Sequence, residues 1–274
     1  MKIVTTTSVF PPAYPADVAL ERLAAIGYTG LDLALDYCAE TGHPFLGASW
    51  REWAEDLRRR ADELGVQYTH AHAEGYPTER GIAMLRSFEV CRILGIAYLV
   101  VHPIFSMDGK NIEDDEEFIR VNAEAYRGLL SYAEASGVTV LTENLLRGAS
   151  ISPRAIAKLV SAVGHPNFGW CFDTGHVNYR GDGIESLRDA EVVPLSLHVQ
   201  DNHGPGSGDE HLLPGDGVID WKRFLDLLVE IGYRGDLVLE AHHQSLEASD
   251  GERDAILADL LGRAEKMRAY LESK

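Results

Sequence analysis

The sequence is poor in basic residues and in cysteine. Lysine and arginine number 25 against 43 aspartates and glutamates, so the formal net charge is −18 at pH 7. A surface this acidic repels nucleic-acid phosphates and anionic lipids, and we expect neither as a partner. The three cysteines, Cys38, Cys91 and Cys171, are far apart and form no Cys-x-x-Cys pair. Their number and spacing argue against a disulfide framework and favour a reduced, cytoplasmic setting.

Long apolar runs and glycine-rich phosphate loops are also missing. No apolar segment approaches the roughly 20 residues that a transmembrane helix needs, and residues 1–15 lack the apolar stretch of a signal peptide. A dinucleotide-binding protein carries Gly-x-Gly-x-x-Gly after its first strand, where this chain reads TTTSVFPPAYP. We therefore expect a soluble cytoplasmic protein, and the sequence argues against dinucleotide binding.

The chain does contain a regular alternation of strand-like and helix-like segments from end to end. Runs rich in β-branched residues predict eight strands, and amphipathic segments between them predict eight helices. The predicted strands cover residues 2–9, 30–35, 66–72, 96–102, 138–143, 168–173, 192–198 and 237–240, and the predicted helices cover residues 16–26, 50–64, 79–94, 116–135, 153–163, 184–190, 221–231 and 255–271. Strict alternation without a break in composition predicts a parallel eight-stranded (β/α)8 TIM barrel that spans residues 1–274 as a single domain.

Side chains that can bind a metal stand at the ends of four consecutive predicted strands. Glu143, Asp173, His198 and Glu240 end the fifth to eighth strands, and the C-terminal strand ends of such a barrel form the rim that holds the active site. One such residue alone is more often a hydrogen-bonded rim residue. Three carboxylates brought together repel one another, however, and a divalent cation compensates them. The sequence therefore predicts one divalent ion, and the mainly oxygen donor set suits Mn²⁺, Mg²⁺ or Co²⁺ and tolerates Zn²⁺.

Further polar residues fall near the same rim. His72 and His102 end the third and fourth predicted strands, and Asp209 and His211 lie in the loop after the seventh. They are candidates for a second set of metal ligands, for substrate contacts or for polar lining. His70 lies deeper in the barrel, where we expect a hydrogen-bonded interior histidine. The loop histidines are expected to be solvated, namely His43, His165, His203, His242 and His243.

Five segments of the chain together resemble the sugar isomerase/epimerase superfamily of xylose isomerase-like TIM barrels. They read TEN, CFDTGHVN, LHVQDN, DEHLLPGDGVIDW and LEAH, and the resemblance covers essentially the whole chain. That superfamily includes ketose 3-epimerases, hydroxypyruvate isomerase, inosose dehydratase and endonuclease IV-type nucleases. The resemblance implies one Mn²⁺, Co²⁺ or Mg²⁺ bound by Glu143, Asp173, His198 and Glu240. It also implies that the two glutamates exchange the substrate proton and that His176 contacts a substrate oxygen.

One position departs from the epimerase pattern. The epimerases carry an arginine shortly after the histidine of the seventh strand, whereas this chain continues from His198 as VQDNHG. The departure argues against a free ketohexose as the substrate. The resemblance further implies that homo-oligomers, as dimers or tetramers, are common.

The polar rim residues also resemble the trinuclear zinc set of the endonuclease IV branch. The positions concerned are His72, His102, Glu143, Asp173, His176, His198, Asp209, His211 and Glu240. A zinc-dependent phosphodiesterase acting on abasic DNA is therefore the main alternative. Against it stand the net charge of −18, the absence of the serine-lysine pair that follows the strand-seven histidine in those nucleases, and a loop over residues 203–217 without lysine or arginine.

These observations together predict a metal-dependent enzyme of the isomerase class. Its substrate would be a sugar, a polyol or a related hydroxy-carbonyl compound. In this mechanism Glu143 and Glu240 act as acid and base through an enediolate, and His176 hydrogen-bonds the developing oxyanion. An inosose-type dehydratase is a further enzymatic alternative, and a metal-binding sensor without activity is a non-enzymatic one.

Overall fold

The eight predicted strands close into a barrel. The computed structural model describes residues 1–39, 42–181 and 183–274. The barrel strands are β1 (Ile3–Thr6), β2 (Gly30–Ala34), β3 (Gln67–His72), β4 (Tyr98–Val100), β7 (Thr139–Glu143), β8 (Phe168–Asp173), β9 (Ser196–Val199) and β10 (Leu237–Leu239), and β5 (Ser106–Met107) and β6 (Lys110–Asn111) form a separate antiparallel pair. All neighbouring barrel strands pair in parallel, in the order β1-β10-β9-β8-β7-β4-β3-β2. The predicted (β/α)8 TIM barrel is confirmed.

Helices connect the barrel strands. The α-helices of the described residues are α1 (Ala16–Ile26), α2 (Leu35–Cys38), α3 (Trp50–Leu64), α4 (Ile82–Leu94), α5 (Asp115–Arg127), α6 (Leu130–Ser136), α7 (Pro153–Val163), α8 (Thr174–Arg180), α9 (Trp221–Glu230), α10 (His243–Glu247) and α11 (Asp250–Glu272). Helices α1, α3 and α7 have the predicted bounds. The helix predicted over residues 116–135 is instead divided at Gly128 into α5 and α6, since glycine is a poor helix former. Within the described ranges, no helix combines the length and apolar character needed to cross a membrane.

The start of α7 shows how local sequence fixes the elements that carry the rim residues. Pro153 occupies the first turn, where a backbone N–H has no helical partner, and the Ser152 hydroxyl accepts the N–H of Ala155 at 3.3 Å. Gly164 ends the helix in the left-handed conformation at φ +61°. The chain then enters β8, whose last residue is Asp173.

Strand register places two of the rim residues side by side. Asp173 of β8 pairs with His198 of β9, and Val238 of β10 pairs with the same His198. Strand β9 begins at Ser196, four residues later than predicted, because Pro194 has no N–H to donate to a neighbouring strand. This late start leaves the position of His198 at the rim unchanged.

The barrel interior below the rim contains both apolar and polar side chains. Val100, Leu141 and Cys171 form an apolar cluster there. One of the polar side chains is His70, whose Nδ1 lies 2.9 Å from Oγ1 of Thr69 and whose Nε2 lies 3.1 Å from Oγ of Ser196. Burial lowers the pKa of His70 to about 3, so the ring is neutral. His70 is thus the hydrogen-bonded interior histidine expected from the sequence.

Candidate active site

A polar cavity opens at the C-terminal rim of the barrel, with a volume of about 150 Å³. The described residues that line it are Thr6, Ser8, Ala34, Asp36, Tyr37, His72, His102, Glu143, His176, Asp209, His211, Glu240 and His242. These include all the site residues expected from the sequence except Asp173 and His198, which are fully buried. Lysine and arginine do not occur among these lining residues. The cavity is therefore rich in carboxylate and imidazole and has no fixed cationic side chain.

Glu143, Asp173, His198 and Glu240 converge at this cavity. One donor atom from each of the four side chains lies within 4.8 Å of the others, and all four residues are buried. Nδ1 of His198 is 3.1 Å from Oε1 of Glu143 and 3.2 Å from Oε2 of Glu240. Donors that bind one divalent ion at about 2.0–2.3 Å lie roughly 3–4.5 Å apart. The spacing of the four side chains is compatible with a single ion.

Asp173 is held by three neighbouring polar groups. Oδ1 of Asn144 accepts the backbone N–H of Asp173 at 2.9 Å, and Nδ2 of Asn144 donates to the Asp173 carbonyl at 3.0 Å. At the start of α8, the backbone N–H of His176 donates to Oδ1 of Asp173 at 2.7 Å. The amide of Gln200 donates to the same carboxylate at 3.3 and 3.4 Å. These contacts fix the orientation of the Asp173 carboxylate, as partners of a metal ligand commonly do.

Buried atoms without hydrogen-bond partners show that the cluster fits a metal ion. Among the described residues, Oε2 of Glu143 and both ring nitrogens of His198 are sealed from solvent with no hydrogen-bond partner. A buried polar atom left unpaired costs about 1–3 kcal/mol, and more if it is charged. A divalent cation would satisfy these atoms and compensate three adjacent carboxylates at the same time.

The pKa values of these four side chains also indicate a site for a cation. Burial works to raise the pKa values of Glu143 and Glu240, but the nearby imidazoles together outweigh burial and hold both pKa values below their usual range, with His198 contributing most, aided by His102 at Glu143 and by His211 at Glu240. Burial raises the pKa of Asp173 to about 6, against the opposing charge of His176. Burial likewise works to lower the pKa of His198, but its neighbours Cys171, Glu143 and Glu240 raise it well above its usual value. A proton on His198 and a bound cation are therefore alternative ways of compensating the carboxylates.

His72 and His102 form a second group beside Glu143. Their Nε2 atoms are 2.8 Å apart, and Nε2 of His102 is 3.4 Å from Oε2 of Glu143. One donor atom from each of the three residues lies within 4.8 Å of the others. Burial, aided by the nearby His102, lowers the pKa of His72 to about 3. The neutral His72 ring and the carboxylate of Glu143 are suitable metal donors, and Glu143 belongs to both groups.

His176, Asp209 and His211 form a third group on the other side of the cluster. Nδ1 of His176 is 2.7 Å from the carbonyl oxygen of Asn144, and Nδ1 of His211 is 2.8 Å from the carbonyl oxygen of Glu240. Each Nδ1–H therefore donates to a backbone carbonyl. Both Nε2 atoms are left facing Oδ1 of Asp209, at 3.4 Å from His176 and 3.1 Å from His211. Backbone contacts of this kind fix the tautomer of a histidine whose other nitrogen meets a charge or a metal.

The charges of the third group also compensate one another without a metal, because its two histidines are protonated beside carboxylates. Burial works to lower the pKa of His176, but Asp173, Asp209 and Glu143 raise it well above its usual value. The pKa of His211 is raised to about 9 by Asp209 and Glu240 against burial. His211 also has a left-handed backbone at φ +46°, which is uncommon for a residue other than glycine and typical of functional sites.

Asp201 organises the loop over residues 203–217 and was not singled out from the sequence. Its two carboxylate oxygens accept four hydrogen bonds of 2.8–3.2 Å, from the backbone N–H groups of Asn202, Gly215 and Ile219 and from the indole N–H of Trp221. At Gly217 a Cβ atom would lie 2.3 Å from Oδ1 of Asp201, so only glycine fits there. Asp201 thereby places Asp209 and His211, which this loop carries, at the cavity.

A comparison with models of known protein families identifies the family of this chain. A family model described as the xylose isomerase-like TIM barrel matches residues 20–265. The chain belongs to that family. Among individual sequences, the inosose isomerase of Bacillus velezensis is 30% identical to this xylose isomerase-like barrel over 160 residues, which is 56% of each chain. In such matches the chain spans about half the length of the curated relatives.

Solved structures share the fold of this xylose isomerase-like barrel over nearly its full length. D-psicose 3-epimerase with D-tagatose, from Clostridium cellulolyticum H10, superposes with a TM-score of 0.76 at 19% identity and covers 97% of this chain and 99% of that one. The structure of the IolI protein with a bound zinc atom gives a TM-score of 0.76 at 19% identity, with coverage of 99% and 98%. At these identities the likeness establishes the common fold.

Among the lining residues of this xylose isomerase-like barrel that were not expected from the sequence are an imidazole, His242, and a carboxyl group, Asp36. The prediction that His242 is solvated is wrong, because His242 lines the cavity and stacks on His211 with ring centroids 4.1 Å apart. Asp36 of α2 also lines the cavity, and burial raises its pKa to about 6. Their position in the sequence could have identified them, because both residues closely follow the C-terminal end of a barrel strand, where the rim is built.

Proposed function

We propose that this protein is a divalent-metal-dependent isomerase or epimerase of a sugar or related hydroxy-carbonyl compound. The observation that carries the proposal is the pair of cavity-lining glutamates, Glu143 and Glu240, which approach the same Nδ1 atom of His198 from different strands. With Asp173 and His198 they would hold one Mn²⁺, Co²⁺, Mg²⁺ or Zn²⁺. The inosose isomerase relative and the epimerase with the same fold support this reaction class.

Each side chain has a definite task in this reaction. A divalent ion supplies Lewis-acid polarisation of the substrate carbonyl, which acidifies the adjacent C–H group. One glutamate removes the proton from that carbon and the other returns a proton, so that the substrate passes through an enediolate. His176 donates a hydrogen bond from Nε2 to the developing oxyanion. The side chain of Glu240 is 11% exposed and that of Glu143 is 1% exposed, so Glu240 is the more accessible of the two bases.

The cavity favours an uncharged substrate. Its described lining contains four carboxylates and no lysine or arginine, so a phosphate or carboxylate group on the substrate meets repulsion away from the metal. The two arginines nearest in sequence to the rim do not supply this charge. Arg147 is exposed and lies over the ring of Phe105, and Arg180 is exposed at the end of α8. We infer a neutral polyhydroxy carbonyl compound as the substrate class.

Solvent-deuterium incorporation tests the proposal. The Mn²⁺-loaded protein is incubated in D₂O with an inosose, with D-tagatose and D-fructose, and with fructose 6-phosphate as the charged control. We expect deuterium on the carbon beside the carbonyl of a neutral compound and none in the phosphate ester. Deuterium accompanied by loss of water would identify the dehydratase alternative. No exchange into any neutral hydroxy-carbonyl compound would contradict the proposal.

The second candidate function is phosphodiester cleavage at a multinuclear zinc site. The observation in its favour is that the rim residues fall into three donor groups, of which the first two share Glu143. Against it, the described cavity lining holds no lysine or arginine, and neither does the loop over residues 203–217. Counting bound ions by anomalous scattering separates the two candidates, because one ion fits the isomerase and three fit the phosphodiesterase.

We expect no measurable incision of a DNA duplex that carries an abasic site, at physiological salt and with Zn²⁺ supplied. The net charge of −18 opposes binding to phosphates, and the loop beside the cavity offers no basic residue to offset it. A gel-based nicking assay with the wild-type protein measures this. Efficient nicking that disappears in Glu143→Ala would replace the isomerase proposal with the phosphodiesterase.

A further inference from the structure

Asp32 carries a carboxyl group that is buried inside the barrel. It lies on β2, where its backbone pairs with Thr6 of β1 and with His70 of β3, and the residue is 1% exposed. Neither carboxylate oxygen has a hydrogen-bond partner among the described residues. Leaving such a group unpaired is unfavourable by several kcal/mol when it is charged. Neither the metal donors nor the acid/base pair discussed above account for this residue.

Two histidines of the cavity lie next to Asp32. One oxygen of Asp32 and one ring nitrogen each from His72 and His198 lie within 4.8 Å of one another. Nδ1 of His198 faces the two glutamates at 3.1 and 3.2 Å, so Nε2 is the ring nitrogen left over. That Nε2 atom is itself sealed and has no partner. An unpaired acceptor and an unpaired ring nitrogen are therefore buried at a separation that one bridging water can span.

We propose that Asp32 is a positioning residue, which accepts the Nε2–H of His198 through one bridging water and so presents Nδ1 to the metal. A carboxylate behind a ligating imidazole fixes its tautomer and ring orientation and increases its basicity. The inference rests on the proposed metal site but not on the reaction carried out there. It assigns a role to a buried carboxyl group that neither lines the cavity nor belongs to the four-donor group, and whose two oxygens have no hydrogen-bond partner among the described residues.

Zinc titration of Asp32→Asn tests this role, with Zn²⁺ alone as the probe. Asparagine has the same shape, but it lacks the charge that strengthens an imidazole N–H contact. We expect the Kd for Zn²⁺, measured by calorimetry on chelator-treated protein, to rise about 10- to 100-fold. The melting temperature of the metal-free variant should equal or exceed that of the wild type, because asparagine keeps the shape of the side chain and avoids the cost of burying a carboxylate.

His70→Gln is the matched control. His70 is the neighbour of Asp32 across the β2–β3 pair and is also buried, but its ring nitrogens are already bound by Thr69 and Ser196. We expect this variant to melt at a lower temperature and to bind Zn²⁺ within threefold of the wild type. Loss of affinity in Asp32→Asn without loss of stability, and the reverse in His70→Gln, separates positioning of the ligand from general support of the barrel.

Nitrogen-15 spectra of the histidine rings provide a readout that a merely structural role would not change. In the Zn²⁺-loaded wild type, His198 should show a protonated Nε2 in slow exchange, and Asp32→Asn should lose that signal. A Kd change below threefold in Asp32→Asn, or a fall in its metal-free melting temperature, would overturn the role of Asp32 and leave the proposed function standing. A wild-type protein that binds no divalent metal would overturn both.

Discussion

Replacing Asp173 or His198 by alanine is expected to lower the affinity for a divalent ion by more than about 100-fold. Each substitution removes one of four buried donors, a larger loss than the roughly 10- to 100-fold typical of residues that only support a ligand. Elemental analysis of dialysed protein and calorimetric titration with Mn²⁺ and Zn²⁺ measure the effect. In the wild type, metal at 100 times its Kd should stabilise the fold by about 2.7 kcal/mol, and a chelator should lower the melting temperature.

Two surface variants serve as controls for this loss of metal. His165→Ala removes a histidine whose ring pairs with Glu134 and accepts the backbone N–H of Asn167, and Asp226→Ala removes an aspartate paired with Lys222. Both should bind metal as the wild type does. A metal content that is unchanged in Asp173→Ala and His198→Ala would show that the buried carboxylates are compensated in another way.

Glu143→Gln and Glu240→Gln are each expected to lower turnover by about two to four orders of magnitude, which is the usual contribution of a positioned acid or base. The amide oxygen of glutamine can still coordinate a cation but cannot carry the proton, so these variants should retain some metal. The measurement is turnover of the neutral compound identified by deuterium exchange, with metal content determined in parallel. Alanine at either position would combine loss of the proton carrier with loss of a ligand.

The two glutamine variants should differ in isotope exchange. The variant that keeps the abstracting glutamate should still exchange deuterium into one epimer of the substrate without completing the inversion. Because Glu240 is the more exposed of the two side chains, we expect Glu143→Gln to be the variant that retains exchange. Turnover without any solvent exchange would indicate hydride transfer, and full activity in both variants would remove the glutamates from the mechanism.

The sequence was sufficient to predict those rim residues whose position depends only on the alternation of strands and helices. Glu143, Asp173, His198 and Glu240 could be placed at one rim because each ends a strand, and the C-terminal ends of parallel strands meet. Strand β9 was predicted too long because the apolar run before Pro194 has strand composition. The pattern nevertheless placed the end of the strand within one residue, at 198 instead of Val199. The division of the helix at Gly128 was missed because a single glycine leaves the helical period intact on both sides.

The sequence pattern could not predict residues whose role depends on packing between distant parts of the chain. His242 belongs to the cavity because it stacks on His211, which comes from a different loop. Asp32 looks in sequence like one polar residue in a buried strand, and its significance arises from histidines on β3 and β9. Asp201 follows the strand-seven histidine in an uninformative Gln-Asp-Asn stretch, whereas its four partners are spread from residue 202 to residue 221.

The four contacts of Asp201 also bear on how this barrel can be re-engineered. They join the two ends of the loop at one carboxylate, with donors just before residue 203 and from residue 215 onward. Leu212 is also tied to Asp201 by a β-bridge and Leu213 is a core residue, so the exchangeable part of the loop is residues 203–208. Doubling the length of a flexible loop costs only about 0.6 kcal/mol in closure entropy. Libraries grafted over residues 203–208, with the rest of the loop retained, would vary the loop beside the cavity on a constant scaffold.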